Sequence, residues 1–399
     1  MTDLDKEAIL LHRNNHGKIS TQSTVPVKNK KDLSLAYTPG IAAVSRAVAK
    51  DPTLSYDLTW RGHTVAVISD GSAVLGLGNI GPEAALPVME GKALLLKEFG
   101  TVDAVPIVIN TQESSEIISF IKNIAPSFAG INLEDISAPR CFQIEDELQD
   151  IGIPVFHDDQ HGTAIVVSAA LKNAAKVVGK SYENLHVTIV GAGAAGLAIA
   201  RMLLGLKCTS NTCERIKGAH SVADVVIVDT YGAFYAGREN QNVYKQALAG
   251  ISNTQRKQGP LSTVIKDSDV VIGVSGPNTI TEEMIKSMNK KAIVFALANP
   301  TPEIMPDVAK KAGAAIVATG RSDFENQINN VLAFPGIFRA VVEGHLKKIT
   351  HEMKQTAADA LAELVKNPSE NNIIPDPFYP NLSKHISDAI LHLQASEVK

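Results

Sequence analysis

"HVTIVGAGAAGLAIARML", residues 186–203, joins an apolar, β-branched run to a glycine-rich turn and then to a helix-forming stretch. The glycines stand as GxGxxG at Gly191, Gly193 and Gly196. In a strand–turn–helix unit the first glycine permits the tight turn and the second lets backbone approach a pyrophosphate. The third lets helix and strand pack closely, with phosphate at the helix N-terminus beside Ala194. GxGxxG alone is a weak signal, and a glycine-tolerant helix in a ligand-free domain of the same kind would also carry it. The surroundings strengthen the reading. ADVVIVD (223–229), SDVVIGVSG (268–276), KAIVFALANP (291–300) and AAIVATG (314–320) follow as short buried-strand patterns. Asp229 ends the first of these, where an acidic residue bonds the ribose 2′-OH of NAD and repels the 2′-phosphate of NADP. It lies 33 residues after Gly196, beyond the usual ~20. An insertion, CTSNTCERIKGAHS (208–221), accounts for the excess.

Upstream, the same alternation recurs. TVAVISD (64–70), VDAVPIVIN (102–110) and AGINLEDI (129–136) read as strands. PEAALPVMEGKALLLKEF (82–99) and SSEIISFIKNIAPSF (114–128) read as crossover helices between them. Strands alternating with helices predict parallel sheets. The 399-residue length suits two domains of ~100–200 residues. We therefore expect an α/β protein with an N-terminal α/β domain over residues 1–160 and a Rossmann-type dinucleotide-binding domain over 161–399. A long helix, TAIVVSAALKNAAKVVG (163–179), links them. Further helices are expected near 3–13 and 40–50, and a loop from 366 precedes a last helix near 382–394.

Bulk properties narrow the function. A net charge of −4 with both signs scattered gives no electrostatic footprint for nucleic acid beyond KNKK at 28–31, which reads as a solvated face. Asp3, Asp5, Lys6 and Glu7 break up the N-terminal stretch, so no signal peptide is expected there. The longest apolar stretch (187–200) is shorter than the ~18 residues of a membrane span. Cys141, Cys208 and Cys213 form no CxxC and no even framework, so they are expected as reduced thiols in a cytoplasmic protein.

Three features carry chemistry. On a helical wheel of residues 86–99, Lys92 falls mid-stripe among Val88, Met89, Leu95, Leu96 and Phe99, while Lys97 and Glu98 face away. A lysine there either snorkels at the helix edge or is a desolvated amine of lowered pKa, available as a base or a carboxylate ligand. Two strands end in adjacent acids, Glu134–Asp135 in GINLEDISAPR and Asp158–Asp159 in IPVFHDDQHGTA. Parallel strands of one sheet would gather them at the carboxyl edge, where α/β sheets bind ligands. Clustered carboxylates favour a hard divalent ion, Mg²⁺ or Mn²⁺. Zinc on His157 and His161, or two unrelated turn acids, are the competing readings.

YTPGIA (37–42), SDGSAVLGLGNIGPEAALPVMEGKA (69–93), NLEDI (132–136), FHDDQHGTA (156–164), VGAGAAG (190–196), ANPTPE (298–303) and NNVLAFPG (329–336) together resemble the malic enzymes of compact bacterial type. The resemblance implies oxidative decarboxylation of L-malate to pyruvate and CO₂ with NAD(P)⁺ and a divalent metal. It places the metal ligands on Glu134, Asp135 and Asp159, and puts Asp158 beside the lysine. It makes Lys92 and Tyr37 the catalytic lysine and tyrosine. Asn299 and Asn330 become the amides that hold malate and the nicotinamide end. It also implies a homodimer, leaving open whether Tyr37 completes its own site or its neighbour's. One departure stands out. Ala73 occupies the place of an arginine that binds substrate carboxylate in the large eukaryotic type, so backbone amides of the GLGNIG loop (76–81) are expected to replace it. Lys92, neutral through desolvation, would take the malate hydroxyl proton, and Tyr37 would protonate C3 of enolpyruvate. A relative acting mainly as an oxaloacetate decarboxylase, or an NAD-binding regulatory protein without activity, are the alternatives.

Overall fold

The computed structural model describes residues 3–74, 76–209 and 212–397. Two parallel sheets organise it. The first is built from β1 (Thr64–Ser69), β2 (Asp103–Val108), β3 (Gly130–Leu133) and β4 (Val155–His157), in the order β2-β1-β3-β4. Every residue of β1 is buried, as a central parallel strand covered on both faces requires, and its Val-Ala-Val-Ile run reads accordingly. The second sheet contains β5 (His186–Val190), β8 (Asp224–Asp229), β9 (Gly232–Ala233), β10 (Val270–Gly273), β11 (Ala292–Ala296) and β12 (Ala314–Thr319). Its order is β12-β11-β10-β5-β8-β9, parallel except for the short antiparallel β9. β5 and β10 are adjacent at its centre, so the glycine-rich turn after β5 opens where the strand order reverses, the usual place for a dinucleotide.

The insertion after the glycine-rich helix folds as an antiparallel pair, β6 (Leu206–Cys208) with β7 (Cys213–Arg215). Cys208 and Cys213 sit opposite each other with Cα atoms 4.1 Å apart and are joined as a disulfide. This corrects the expectation of reduced thiols for that pair; Cys141 alone is free, and buried. An odd cysteine count concealed a pairing that the hairpin register creates.

The linking helix runs Asp158–Val178, beginning five residues before the expected start and ending at Gly179, which adopts φ 68° as its left-handed cap. Asp158 and Asp159 therefore lie in its first turn rather than on a strand end. Carboxylates are favoured there by the helix dipole. This helix is buried along most of its length and packs against the Ala194–Leu203 helix.

The last part of the chain returns to the first sheet. The Phe334–Gly344 helix packs on the Pro82–Gly100 helix and against the last helix, Leu382–Glu397. Ser383 Oγ donates to the Phe99 carbonyl at 2.5 Å. A Cβ added at Gly100 would lie 2.9 Å from the Pro335 carbonyl oxygen, so the two backbones meet there. At the other end, the helices Asp3–Asn15, Lys30–Ala36 and Ile41–Lys50 contain no buried residue. Leu4, Leu10, Leu11, Leu33 and Leu35 stand more than half exposed.

Candidate active site

The Pro82–Gly100 helix turns its apolar face inward as expected: Met89, Ala93 and Leu96 are buried and Lys97 and Glu98 exposed. Lys92 rides on that face with its side chain 12% exposed. Its Nζ donates to Asp158 Oδ2 at 2.5 Å, lies 3.0 Å from Glu134 Oε1, and sits 4.6 Å over the Phe334 ring. The amine is thus not a desolvated neutral base. Burial pulls its pKa down, but Asp158, Glu134 and Asp159 outweigh that and hold it above the ordinary lysine value. A lysine on an apolar stripe suggests desolvation from sequence; the carboxylates that reverse it come from two other elements.

Asp158 is fully buried. Its Oδ2 also accepts from Asn330 Nδ2 at 2.5 Å, and its Oδ1 is buried with no hydrogen-bond partner. Gly162 makes room for it, since a Cβ there would lie 1.8 Å from Asp158 Oδ1. Glu134, fixed by Asn132 Nδ2 at 2.8 Å, and Asp135 follow β3 directly. Asp135 holds φ 54°, a left-handed conformation that costs a non-glycine residue energy and concentrates at functional sites. Its N–H donates to Asp159 Oδ2 at 2.8 Å, tying the end of β3 to the first turn of the Asp158–Val178 helix.

Glu134, Asp135 and Asp159 each offer a carboxylate oxygen, all within 4.8 Å of one another. Burial, reinforced by Asp159, pushes the Asp135 carboxyl up to about 8, and burial raises Glu134 as well. Asp135 Oδ2 is buried without a partner. Three crowded carboxylates, one with an orphaned oxygen, fit a hard divalent cation, which prefers oxygen ligands. The histidines do not form a joint zinc site. His161 Nε2 lies 2.8 Å from Glu145 Oε1, and burial pulls its pKa to about 4 against that carboxylate. His157 approaches Asp159 Oδ2 only to 3.9 Å. Glu145 escaped sequence reasoning because it lies a helix away; its three donors are His157 N, Gln160 Nε2 and His161 Nε2.

The other expected residues are more dispersed. Tyr37 caps the Lys30–Ala36 helix, 67% exposed, and among the described residues its hydroxyl has no hydrogen-bond partner. Asn299 is exposed beyond β11, its main chain against the GLGNIG loop: a Cβ at Gly76 would lie 2.7 Å from the Asn299 carbonyl oxygen. Four of the six amides of that loop are already engaged. Leu77 and Gly78 donate to the Val74 carbonyl, and Ile80 and Gly81 to that of Gly71.

At the nucleotide loop, Gly191 has φ 114°, and a Cβ there would lie 2.5 Å from the Val274 carbonyl oxygen. A Cβ on Gly196 would lie 2.0 Å from the Gly191 carbonyl oxygen, whereas Gly193 has open space beside it. Ala194 starts the helix that follows. Asp229 departs from the expected picture of a free acceptor. Arg238 Nη1 and Nη2 grip its two oxygens at 2.8 Å each, Lys245 Nζ lies at 2.9 Å, and Tyr231 N donates at 2.9 Å. Burial would raise this carboxyl, but those donors hold it at about 2.

Residues 16–116 match the family model for the malic enzyme N-terminal domain, and residues 160–395 that for the malic enzyme NAD-binding domain. The bifunctional malic/malolactic enzyme of Bacillus subtilis is 50% identical over 97% of this chain and 92% of its own. The NADP-dependent malic enzyme of Halomonas elongata is 41% identical over 98% and 93%. The crystal structure of the NAD-dependent malic enzyme of Thermotoga maritima superposes with a TM-score of 0.89 at 48% identity, covering 96% of this chain and 98% of that one. With a parallel-sheet carboxylate cluster around a lysine and a glycine-rich turn on a second sheet, this chain belongs to the malic enzyme family.

Proposed function

We propose that the protein oxidises L-malate with NAD⁺ and decarboxylates the product to pyruvate and CO₂. The carrying observation is the buried contact between Lys92 and Asp158 at the edge of the Glu134, Asp135 and Asp159 cluster. Those three carboxylates would hold Mg²⁺ or Mn²⁺. The cation supplies the positive charge that acidifies the C2 hydroxyl and offsets negative charge during loss of CO₂, while the nucleotide supplies the hydride acceptor. Lys92 and Asp158 work as a pair. The pair carries the proton: as the Lys92 ammonium yields a proton along their 2.5 Å hydrogen bond to Asp158, the freed amine takes the hydroxyl proton. Asn330 steadies the accepting carboxylate through its amide. Asn299 and Asn330 orient substrate and nicotinamide. Tyr37 delivers the proton to C3 of enolpyruvate. Its exposure, with the bare apolar helices around it, supports a homodimer in which it serves the neighbouring subunit's site. We place the boundary between the substrate and nucleotide domains near residue 160, and the protein in the cytoplasm.

With malate, NAD⁺ and Mn²⁺, NADH absorbance and pyruvate should rise together. Oxaloacetate should lose CO₂ with Mn²⁺ alone, because that half needs no hydride acceptor. Gly193→Val should suppress malate oxidation but spare oxaloacetate decarboxylation, since the open space at Gly193 lets valine fold yet obstructs a pyrophosphate. Brisk decarboxylation without NADH from malate, with either nucleotide, would replace this reading by the decarboxylase one.

NAD⁺ should be preferred over NADP⁺ because the Asp229 carboxylate neutralises both cations at the end of β8. Asp229→Ser would release Arg238 and Lys245 toward a 2′-phosphate. One charge-assisted hydrogen bond contributes about 1.5–3 kcal/mol, so kcat/KM for NADP⁺ should rise by roughly ten- to a hundredfold. A wild type that favours NADP⁺ would mean that Asp229 does not face the ribose.

A further inference from the structure

Behind the metal cluster, on the far side of the Asp158–Val178 helix, lies a cavity of about 430 Å³ that the proposed reaction does not use. Its walls come from the Arg140–Glu147, Asp158–Val178 and Ala194–Leu203 helices, the β6 hairpin and residues 348–354. Some of the donors lining it are unmatched, while Gln160 and His161 are spent on Glu145 and Lys348 on Asp150. Arg201 stacks its guanidinium 5.4 Å over the Phe142 ring, and its Nε and Nη2 are buried without a partner among the described residues. His351 Nε2 is likewise buried and unpartnered. Among the described residues no carboxylate lies within ion-pair distance of Lys354, whose ammonium sits 6.0 Å over the Phe156 ring. The His351–Glu363 helix begins at the same wall, capped by Thr350, so its positive dipole end adds to the field.

The acids in the lining offset this only in part. Glu145 already accepts from His157 N, Gln160 and His161. Glu352 is exposed at the mouth. Asp146 remains, its carboxyl pushed up to about 6 by burial and by Glu145. A buried guanidinium with two adjacent free N–H groups is expensive to leave unpaired, and its geometry matches two oxygens of one carboxylate or phosphate side-on.

We propose that this cavity is a second ligand site, separate from the metal cluster, for a small oxyanion gripped by Nε and Nη2 of Arg201 with Lys354 and His351 as further donors. This assignment does not rest on the malate reaction. Its position gives it reach, because Gln160 and His161 follow the proposed metal ligand Asp159, and Arg201 lies on the helix that opens at the glycine-rich turn.

The test is the thermal midpoint of the full chain in sodium phosphate and in sodium succinate, each against sodium chloride at equal ionic strength. A ligand that binds only the folded state raises the midpoint with its concentration. At least one anion should do so saturably in the wild type. A response to phosphate alone assigns a phosphate-bearing ligand, and one to succinate alone a carboxylate. Arg201→Met should shift the concentration needed at least tenfold upward, and Lys354→Met should do the same less strongly. If Arg201→Met does not fold, Lys354→Met and Arg201→Lys carry the comparison. No midpoint shift with either anion, or an undiminished shift in the variants, would overturn the proposal.

Discussion

Malate turnover should fall by about 10²–10⁴-fold in Lys92→Ala, the range over which a positioned acid–base group accelerates a reaction. The structure adds a second effect. Lys92 is the cation within salt-bridge distance of both Asp158 and Glu134, which are buried. Removing one partner of a buried pair costs about 3–5 kcal/mol, so the variant should also unfold at a lower temperature unless a divalent ion is added. The two effects separate with a small primary amine, which should restore part of the turnover if the lost group is the proton carrier. A loss below tenfold, or a rescue by salt that equals the rescue by amine, would remove Lys92 from the proton path.

Chelation should stop malate oxidation, and Mn²⁺ or Mg²⁺ should restore it. Asp159→Asn should weaken metal binding by more than tenfold, and Asp158→Asn by much less, because Asp158 spends its oxygen on Lys92 and Asn330 rather than on the triad. Equal weakening in metal titrations of the two variants would refute that division. The pH dependence has a defined sign. In the metal-free protein the Asp135 carboxyl lies at about 8, so near neutral pH it holds a proton that the ion must displace. Metal affinity should therefore rise with pH up to about 8, with proton release on binding. A carboxyl raised in the folded state stabilises it fully below the unfolded value of about 4, and that contribution is lost as pH climbs through the folded value. Metal-free protein should thus lose stability between pH 4 and 8 unless other groups compensate.

Strands β1, β5 and β8 were legible because a parallel strand buried on both faces reads as an unbroken apolar run. The acidic pairs were legible for the opposite reason, as charges placed where packing alone would not put them. Properties set by residues distant in sequence were not. The charge state of Lys92 depends on Glu134 and Asp158, 42 and 66 positions away. The occupied carboxylate of Asp229 depends on Arg238 and Lys245, 9 and 16 positions further along the chain. The Phe334–Gly344 helix was hidden in a segment that resemblance marked as a motif, although Pro335 suits the first turn of a helix. Gly162 looked unremarkable until the carboxylate beside it defined the space it leaves.

The return of the final helices onto the Pro82–Gly100 helix governs how this enzyme could be recombined with its relatives. A chimera joined once, near residue 160, would take its coenzyme half and its last helices from one parent and the lysine-bearing helix from the other. The contacts of Gly100 with Pro335 and of Ser383 with the Phe99 carbonyl would then be drawn from mismatched parents. Two crossovers, the second just before Phe334, keep those surfaces together and exchange only the six-stranded sheet with its coenzyme loop. Coenzyme preference should therefore transplant as an internal cassette rather than as a C-terminal half.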